Sequence, residues 1–332
     1  PVPGLVELRE AIKTKFKRDN HLDFDINQIV VSNGAKQSIA NVMLSLLDNE
    51  DEVLILSPYW VSYSEIVKVA DGIPVPVHAG IEQDYKVTAE QVEAAITNRT
   101  KVLLFSSPCN PTGSVYTESE LRAIADVVAK HEQIIIVSDE IYEYINFSDK
   151  HVSIGTFANV QDRTVTVNGF SKGFAMTGWR LGYIGAPRWI AAACSKVQGQ
   201  FTSGATAFGQ KAAAHALLSD MTPTHQMREA FLKRRDLVIE LLSQVPGFKV
   251  NLPQGAFYIF PDISDFFGKS HDGFVINNAD DFCEYILQKA HVAIVTGSAF
   301  GAENCCRLSY AASEGELREA IQRIGEATAK LT

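Results

Sequence analysis

Short apolar runs alternate with stretches of helical periodicity in the part of the chain before Gln200. Leu5, Leu8 and Ile12 recur at helical spacing. The run from Ile29 to Val31 then predicts the first strand, and similar apolar runs predict strands at 53–56, 73–77, 102–105, 134–137 and 164–167. Strands that alternate with helices in this way predict an α/β fold built on a doubly wound, mostly parallel sheet.

The pattern changes after Gln200. A long helical stretch from Met227 to Leu242 precedes a segment in which short strands and helices mix. Strands are predicted there at 256–260, 292–295 and 306–309, and helices at 281–290 and 314–329. We therefore expect two domains, a large one over residues 1–229 and a smaller α+β one over residues 230–332.

Composition narrows the class of protein. The 332-residue chain is 46% hydrophobic and carries a net charge of −9 without a basic tract, which argues against nucleic acid and membrane surfaces as partners. No apolar run approaches the roughly 18 residues of a membrane span. We expect a protein of the cytoplasm, or of a plastid if a targeting segment precedes Pro1.

The five cysteines are odd in number and lack the Cys-x-x-Cys spacing of zinc sites. Cys305 and Cys306 are adjacent, which makes a bridge between them unfavourable. We therefore expect a reducing, intracellular compartment and no metal site.

Lys172 is the most prominent candidate for chemistry. It follows the strand predicted at 164–167, at the edge of an open α/β sheet where ligands bind, and Arg180 comes shortly after it. An amine there can attack a carbonyl while the guanidinium holds a phosphate. Taken alone, a loop lysine is more commonly a solvated side chain.

Asp139 and Tyr142 follow the most apolar strand, so the Asp139 carboxylate is expected in the same crevice as Lys172. A carboxylate there needs a cationic partner. If it faces a pyridine nitrogen, it keeps that nitrogen protonated and makes the ring an electron sink. Tyr142 can donate to a ring oxygen. The alternatives are a helix N-cap for Asp139 and a core aromatic for Tyr142.

Two more strand ends carry residues suited to a flat ligand. Asn110 lies between Pro108 and Pro111, which hold its amide in a fixed, non-helical position, although such residues also build ordinary turns. Trp60 follows the strand at 53–56 and offers a planar ring for stacking, although an indole is more often part of a core.

Ala35 and Lys36 open a helix after the turn at Asn33 and Gly34, so their backbone amides can approach an anion at the positive end of the helix dipole. Lys36 is a cation at that end, a conflict that an anionic ligand would remove, although a solvated lysine is the default. Arg307 stands in an apolar strand of the small domain, where its guanidinium needs a carboxylate from the protein or from a substrate.

Together these motifs resemble the fold-type I pyridoxal-phosphate enzymes. Within them they resemble the class I aspartate aminotransferase family, in the bacterial and plant branch that includes prephenate aminotransferases. The resemblance extends from Pro1 to the last predicted helix. Its strongest motifs lie at 167–185 and 138–142, supported by 32–38, 57–63 and 107–116.

The resemblance implies a role for each candidate residue. Lys172 would form the Schiff base with pyridoxal phosphate and move the proton between substrate and cofactor, while Asp139 holds the pyridinium. Tyr142 and Asn110 would hydrogen-bond the phenolic oxygen of the cofactor. The other implied roles are ring stacking by Trp60, phosphate binding by Ser171, Arg180 and the amides near Ala35 and Lys36, and substrate binding by Lys36, Trp60, Asn110 and Arg307, with Arg307 on the α-carboxylate.

The implied activity is amino-group exchange between aspartate or glutamate and 2-oxo acids, with prephenate as a further acceptor, in a homodimer. Three departures bear on this expectation. The family's first segment, which helps to choose the substrate, is absent from this sequence. Gly169 stands where some members carry a serine that binds phosphate. No counterpart is found for the arginine that animal-type members use for the distal carboxylate, so Lys36 is the candidate for that role.

Alternative functions stay open. A carbon–sulfur lyase or a cyclopropane-forming synthase would share the fold, the lysine and the ring contacts. A cofactor-binding effector domain without turnover is a third alternative, disfavoured because these residues include no basic DNA-binding segment. A nicotinamide-dependent dehydrogenase is weaker still, because no Gly-x-Gly-x-x-Gly follows the first strand.

Overall fold

A computed structural model describes residues 1–148 and 150–332 of the chain. Its central sheet contains β1 (Ile29–Ser32), β2 (Glu52–Ser57), β3 (Ile73–His78), β4 (Thr100–Ser106), β5 (Ile135–Asp139), β6 (Thr164–Gly169) and β7 (Gly182–Gly185). The order across the sheet is β1-β7-β6-β5-β4-β2-β3. All neighbours pair in parallel except β7, which is antiparallel to both β1 and β6. The predicted mostly parallel sheet is confirmed.

Helices cover both faces of this sheet. They are α1 (Val6–Lys15), α2 (Ala35–Leu46), α3 (Ser62–Val69), α4 (Ala89–Ala95), α5 (Glu118–Val128), α6 (Arg188–Phe201) and α7 (Ala207–Leu218). Val53 and Ile55 of β2 belong to a buried cluster with α2, α3 and α6, whereas Leu54 and Leu56 pack with α4 and α5. Successive side chains of a strand point to opposite faces, so a strand buried on both sides must be apolar throughout.

The rest of the chain forms a second set of elements. They are α8 (Thr222–Leu242), β8 (Tyr258–Ile259), β9 (Ser270–His271), β10 (Phe274–Val275), α9 (Ala279–Ala290), β11 (Val295–Thr296), β12 (Cys306–Ser309) and α10 (Glu314–Thr328). β8, β12 and β11 form an antiparallel sheet, and β9 pairs with β10. The domain boundary expected after residue 229 falls within α8 and stays a prediction.

The antiparallel strand β7, which the apolar pattern did not reveal, brings the ends of β1 and β6 together at one edge of the sheet. β1 and β6 end where β7 begins, because Ser32 and Gly169 both pair with Gly182. A Cβ at Gly182 would collide with the amide nitrogen of Ala35. The absence of a side chain at Gly182 therefore lets the start of α2 lie directly against the sheet, beside the segment between β6 and β7 that carries Lys172 and Arg180.

Two further features of the fold concern individual side chains. The side chain of Thr117 accepts a hydrogen bond from the Glu120 amide at 3.3 Å, and the Glu120 carboxylate accepts one from the Thr117 amide at 2.7 Å, which caps α5. The five cysteines are free thiols. No helix among the described residues is both long enough and apolar enough to cross a membrane.

Candidate active site

A cavity of about 390 Å³ opens at the edge where the parallel strands end. Every residue predicted for the site lines it, so side chains from most of the chain length converge on one place. The lining residues are Ala35, Lys36, Trp60, Tyr63, Ser106, Asn110, Asp139, Ile141, Tyr142, Ser171, Lys172, Thr177, Arg180, Tyr258 and Arg307. The volume suits a small organic ligand.

Asp139 is the last residue of β5, and only 4% of it is exposed. Its carboxylate accepts hydrogen bonds from the Tyr63 hydroxyl at 2.8 Å and from the Ile141 amide at 3.2 Å. Burial raises the pKa of Asp139 to about 6, although these hydrogen bonds and Lys172 oppose the rise. The amide contact resembles a helix cap, but a turn follows rather than a helix.

The cationic partner expected for Asp139 is not a protein side chain in the described ranges. None of the salt bridges there involves Asp139, and Lys172 acts on its pKa only as a charge that lowers it. A buried carboxylate without a cation is unfavourable. A bound ligand with a protonated nitrogen would remove this conflict.

Lys172 follows the end of β6 and is half-buried. Its Nζ lies 5.2 Å from the ring centroid of Phe257 and 5.6 Å from that of Tyr142. Burial lowers the pKa of the Lys172 amine, and the charges of Arg307 and Arg180 lower it further while that of Asp139 opposes them. A lower pKa leaves more of the amine neutral near pH 7, which is the form that attacks a carbonyl.

Arg307 projects from β12 and is held by aromatic rings and one amide. Its guanidinium carbon lies 4.4 Å from the ring centroid of Tyr258 and 4.7 Å from that of Phe300. Its Nη1 donates to Asn110 Oδ1 at 2.8 Å, and its Nε is buried without a hydrogen-bond partner among the described groups. The carboxylate that this guanidinium requires is therefore left for a ligand to supply.

An anion can bind where α2 begins. Its N-cap residue is Gly34, which gives the first amides of the helix no side-chain cap. Gly34 adopts a φ of +86°, and a Cβ there would collide with the Arg180 guanidinium. Arg180 donates to the carbonyl oxygens of Thr177 at 3.0 Å and Asn33 at 3.4 Å. Uncapped amides and a guanidinium together provide the donors that a phosphate accepts.

Lys36 and Trp60 face each other across the more exposed side of the cavity. The Nζ of Lys36 lies 5.0 Å from the ring of Trp60, and Trp60 in turn makes an edge contact with Tyr63 at 5.5 Å. Lys36 is exposed, whereas Trp60 is half-buried. The ammonium group is therefore held beside the cavity by a cation–π contact while it stays accessible to a ligand.

Sequence reasoning missed Tyr63, Tyr258 and Ser106 as lining residues. Tyr63 follows Trp60 by one helical turn, a spacing that could have drawn attention to it. Ser106 ends β4, and its hydroxyl is buried without a partner in the described part of the chain. Tyr258 comes from β8, and no local pattern marks it.

Known proteins resemble this chain closely. Residues 1–324 match the family model for aminotransferases of class I and II. A bifunctional aspartate aminotransferase and glutamate/aspartate-prephenate aminotransferase of Petunia hybrida is 46% identical, with 98% of this chain and 69% of the relative covered. A probable aspartate/prephenate aminotransferase of Rickettsia bellii is 44% identical, with 99% of this chain and 84% of the relative covered.

A solved structure has the same fold. The crystal structure of the aspartate aminotransferase from Rhizobium meliloti superimposes with a TM-score of 0.97 at 41% identity, and the match covers 100% of this chain and 84% of that one. Identity at this level with such a superposition shows a common fold.

The raised pKa of Asp139 predicts a pH dependence of stability. Between its unfolded value of 3.8 and its folded value of about 6, the folded state holds a proton that the unfolded state has released. Stability therefore falls as pH rises through this window, by up to about 3 kcal/mol. Asp139→Asn removes the titrating group, so the stability difference between wild type and variant should change across the window.

Urea unfolding of both proteins without cofactor, from pH 4 to pH 7, measures this difference. We expect wild type to lose stability relative to Asp139→Asn as pH rises. A difference that stays constant over this range would contradict the burial argument.

Proposed function

The chain belongs to the class I and II aminotransferases, and from this premise we propose that it uses pyridoxal phosphate to exchange amino groups between aspartate or glutamate and 2-oxo acids, with prephenate as a further acceptor. The observation that carries the proposal is the pairing of a buried, cation-free Asp139 carboxylate with the half-buried Lys172 amine in one cavity. The activities for which the relatives are named support the choice of substrates.

The polar groups of the cavity fit this cofactor. No salt bridge to Asp139 is found among the described residues, and a protonated pyridine nitrogen would provide the missing cation. The uncapped start of α2 and the Arg180 guanidinium offer donors for a phosphate. Tyr142 and Asn110 present a hydroxyl and an amide to the same space, suited to the ring oxygen. We propose that Trp60 stacks on the ring and that Ser171 adds a hydroxyl donor to the phosphate site.

The catalytic roles follow from these positions. Bound pyridoxal phosphate supplies an electron sink for the electrons released at the substrate α-carbon. Asp139 holds the proton on the ring nitrogen that this sink requires. Lys172, whose amine has a lowered pKa, would take the proton from the substrate α-carbon and deliver it to the carbon of the cofactor that carried the aldehyde, and the second half-reaction would run this transfer in reverse. Arg307 binds the substrate α-carboxylate and so orients the bond that breaks.

We assign the second carboxylate of the substrate to Lys36. Its ammonium lies on the exposed side of the cavity, and its contact with Trp60 keeps it near the stacking surface. Aspartate, glutamate and their 2-oxo acids all carry two carboxylates, and so does prephenate. A single lysine with a flexible stem can reach carboxylates at different distances.

We further propose that the protein is a homodimer. Three large apolar side chains are exposed in the part of the chain from Trp179 to α7: Trp179 at 45%, Phe201 at 71% and Phe208 at 77%. Aromatic side chains are enriched where proteins associate. Light scattering of the purified full-length protein should give twice the subunit mass, and a monomer at micromolar concentration would contradict this assignment.

Lys172→Ala should lower transamination by about 10³-fold or more, because it removes the amine assigned to move the α-proton. It should also remove the visible absorbance of the lysine-bound cofactor. The measurements are a coupled assay with aspartate and 2-oxoglutarate and an absorbance spectrum. Lys130→Ala is the control, since Lys130 is an exposed residue paired with Glu93. Full activity in Lys172→Ala would end the proposal.

Lys36→Ala should raise KM for aspartate, 2-oxoglutarate and prephenate by about tenfold or more, because each loses a charge-assisted contact. Alanine, which has no second carboxylate, should be affected little. Steady-state kinetics with both amino acids and all three acceptors measure the contrast. Equal losses for alanine and aspartate would assign Lys36 to the phosphate instead.

A further inference from the structure

Two buried tyrosines meet at the boundary between the central sheet and the small antiparallel sheet. The hydroxyl oxygens of Tyr142 and Tyr258 lie 2.9 Å apart, and either can donate. The two residues are 3% and 6% exposed. Among the described residues neither hydroxyl has another hydrogen-bond partner. A hydroxyl has one hydrogen, so the direction of this bond decides where the second hydrogen points.

Arg307 gives the bond a direction. Its guanidinium lies over the face of Tyr258, 4.4 Å from the ring centroid. A positive charge over a phenol ring stabilises negative charge on its oxygen and makes its O–H the better donor. Burial raises the pKa of both hydroxyls, and the Arg307 charge opposes the rise for each. The contact between the two rings separates them, because it lowers the pKa of Tyr258 and adds to the rise for Tyr142, to which the Asp139 charge also adds. Tyr258 is therefore the donor and Tyr142 the acceptor.

The hydroxyl hydrogen of Tyr142 is then not used between the two tyrosines and can be donated to another acceptor. Tyr142 lines the cavity that Lys172 and Asp139 also line. A hydroxyl that accepts one hydrogen bond also becomes a stronger donor in the next, because the two bonds polarise each other. The chain of contacts thus leads from the Arg307 charge through the Tyr258 ring and both hydroxyls to the cavity.

We propose that Tyr258 is a positioning residue, which directs the hydroxyl hydrogen of Tyr142 into the cavity and transmits the charge state of Arg307 to it. The inference rests on the proposed function, in which Tyr142 donates to the ring oxygen of the cofactor. A carboxylate bound to Arg307 neutralises the charge over Tyr258. The Tyr258 hydroxyl then becomes a weaker donor to Tyr142, and the Tyr142 hydroxyl becomes a weaker donor to the ring oxygen. Binding at one end of the cavity therefore alters the hydrogen bond at the other.

Three further groups carry charge near this pair and set the background for any titration. Lys172 faces the Tyr142 ring at 5.6 Å, the charge of Asp139 at the end of β5 acts on Tyr142, and Arg307 faces Tyr258 from β12. None of them is changed by Tyr258→Phe, which removes one oxygen and keeps the ring under Arg307. The variant therefore isolates the hydroxyl.

The test uses the full-length protein with bound pyridoxal phosphate and follows its visible absorbance against pH. If Tyr142 donates more weakly to the ring oxygen of the cofactor, more negative charge stays on that oxygen. The nitrogen through which Lys172 is bound to the cofactor then keeps its proton to higher pH. Tyr258→Phe should raise the midpoint by about 0.5 to 1 pH unit, and Tyr142→Phe by more. The double variant should match Tyr142→Phe alone, because the effect of Tyr258 passes through Tyr142.

Tyr310→Phe is the matched control. Its hydroxyl is also buried and donates to the Ala256 carbonyl at 3.1 Å, but it does not line the cavity. Its midpoint should equal that of wild type. An unchanged midpoint in Tyr258→Phe, or a further shift when the change is added to Tyr142→Phe, would overturn the inference. If Tyr142→Phe still shifts the midpoint, the proposed function stands while this inference fails.

The relay from Arg307 is tested with succinate, an unreactive dicarboxylate. Succinate should move the absorbance midpoint of wild type, and Tyr258→Phe should reduce that movement by half or more. Some response will persist because Arg307 also donates to Asn110. An equal response to succinate in the two proteins would show that Tyr258 transmits nothing.

Discussion

Asp139 carries a carboxylate that the fold buries without giving it a protein cation, and most features of the cavity can be related to that fact. Within the described ranges its side-chain oxygens accept hydrogen bonds from the Tyr63 hydroxyl and the Ile141 amide, and burial raises its pKa to about 6. Such a group destabilises the folded chain at neutral pH unless a ligand with a protonated nitrogen binds. The burial of the Asp139 carboxylate thus lowers the stability of the chain at neutral pH and at the same time favours binding of a ligand with a protonated nitrogen.

The placement depends on how the strands end. Parallel strands bring their carboxyl ends to one edge, and β7 then reverses direction so that the segment from Lys172 to Arg180 returns to the same edge. The missing side chain at Gly182 allows the start of α2 to approach this segment. The first amides of α2 and the backbone of the segment that carries Lys172 therefore lie in fixed relation, because direct backbone packing sets the distance between them.

Much of this could be predicted from the sequence, because strands buried on both faces carry continuous apolar runs and the site residues follow them directly. β7 escaped notice because two glycines flank only Tyr183 and Ile184, too short a run to stand out. Tyr258 was not predicted because its position depends on pairing with Ser309, on a strand that is adjacent in the sheet but far away in the sequence. Contacts of that kind depend on tertiary register, which neither helical nor strand periodicity encodes.

The charges in the cavity explain why one site can hold several anionic groups. Lys36, Lys172, Arg180 and Arg307 line it together with the single carboxylate of Asp139. The pKa of Lys172 falls partly because Arg307 and Arg180 lie near it. Anions bound at both guanidinium groups would cancel that repulsion and let the amine hold a proton more readily. The proton affinity of Lys172 should therefore rise as anions bind at the two guanidinium groups, which suits the role proposed for Lys172, first as a free amine that attacks and afterwards as the carrier of a proton.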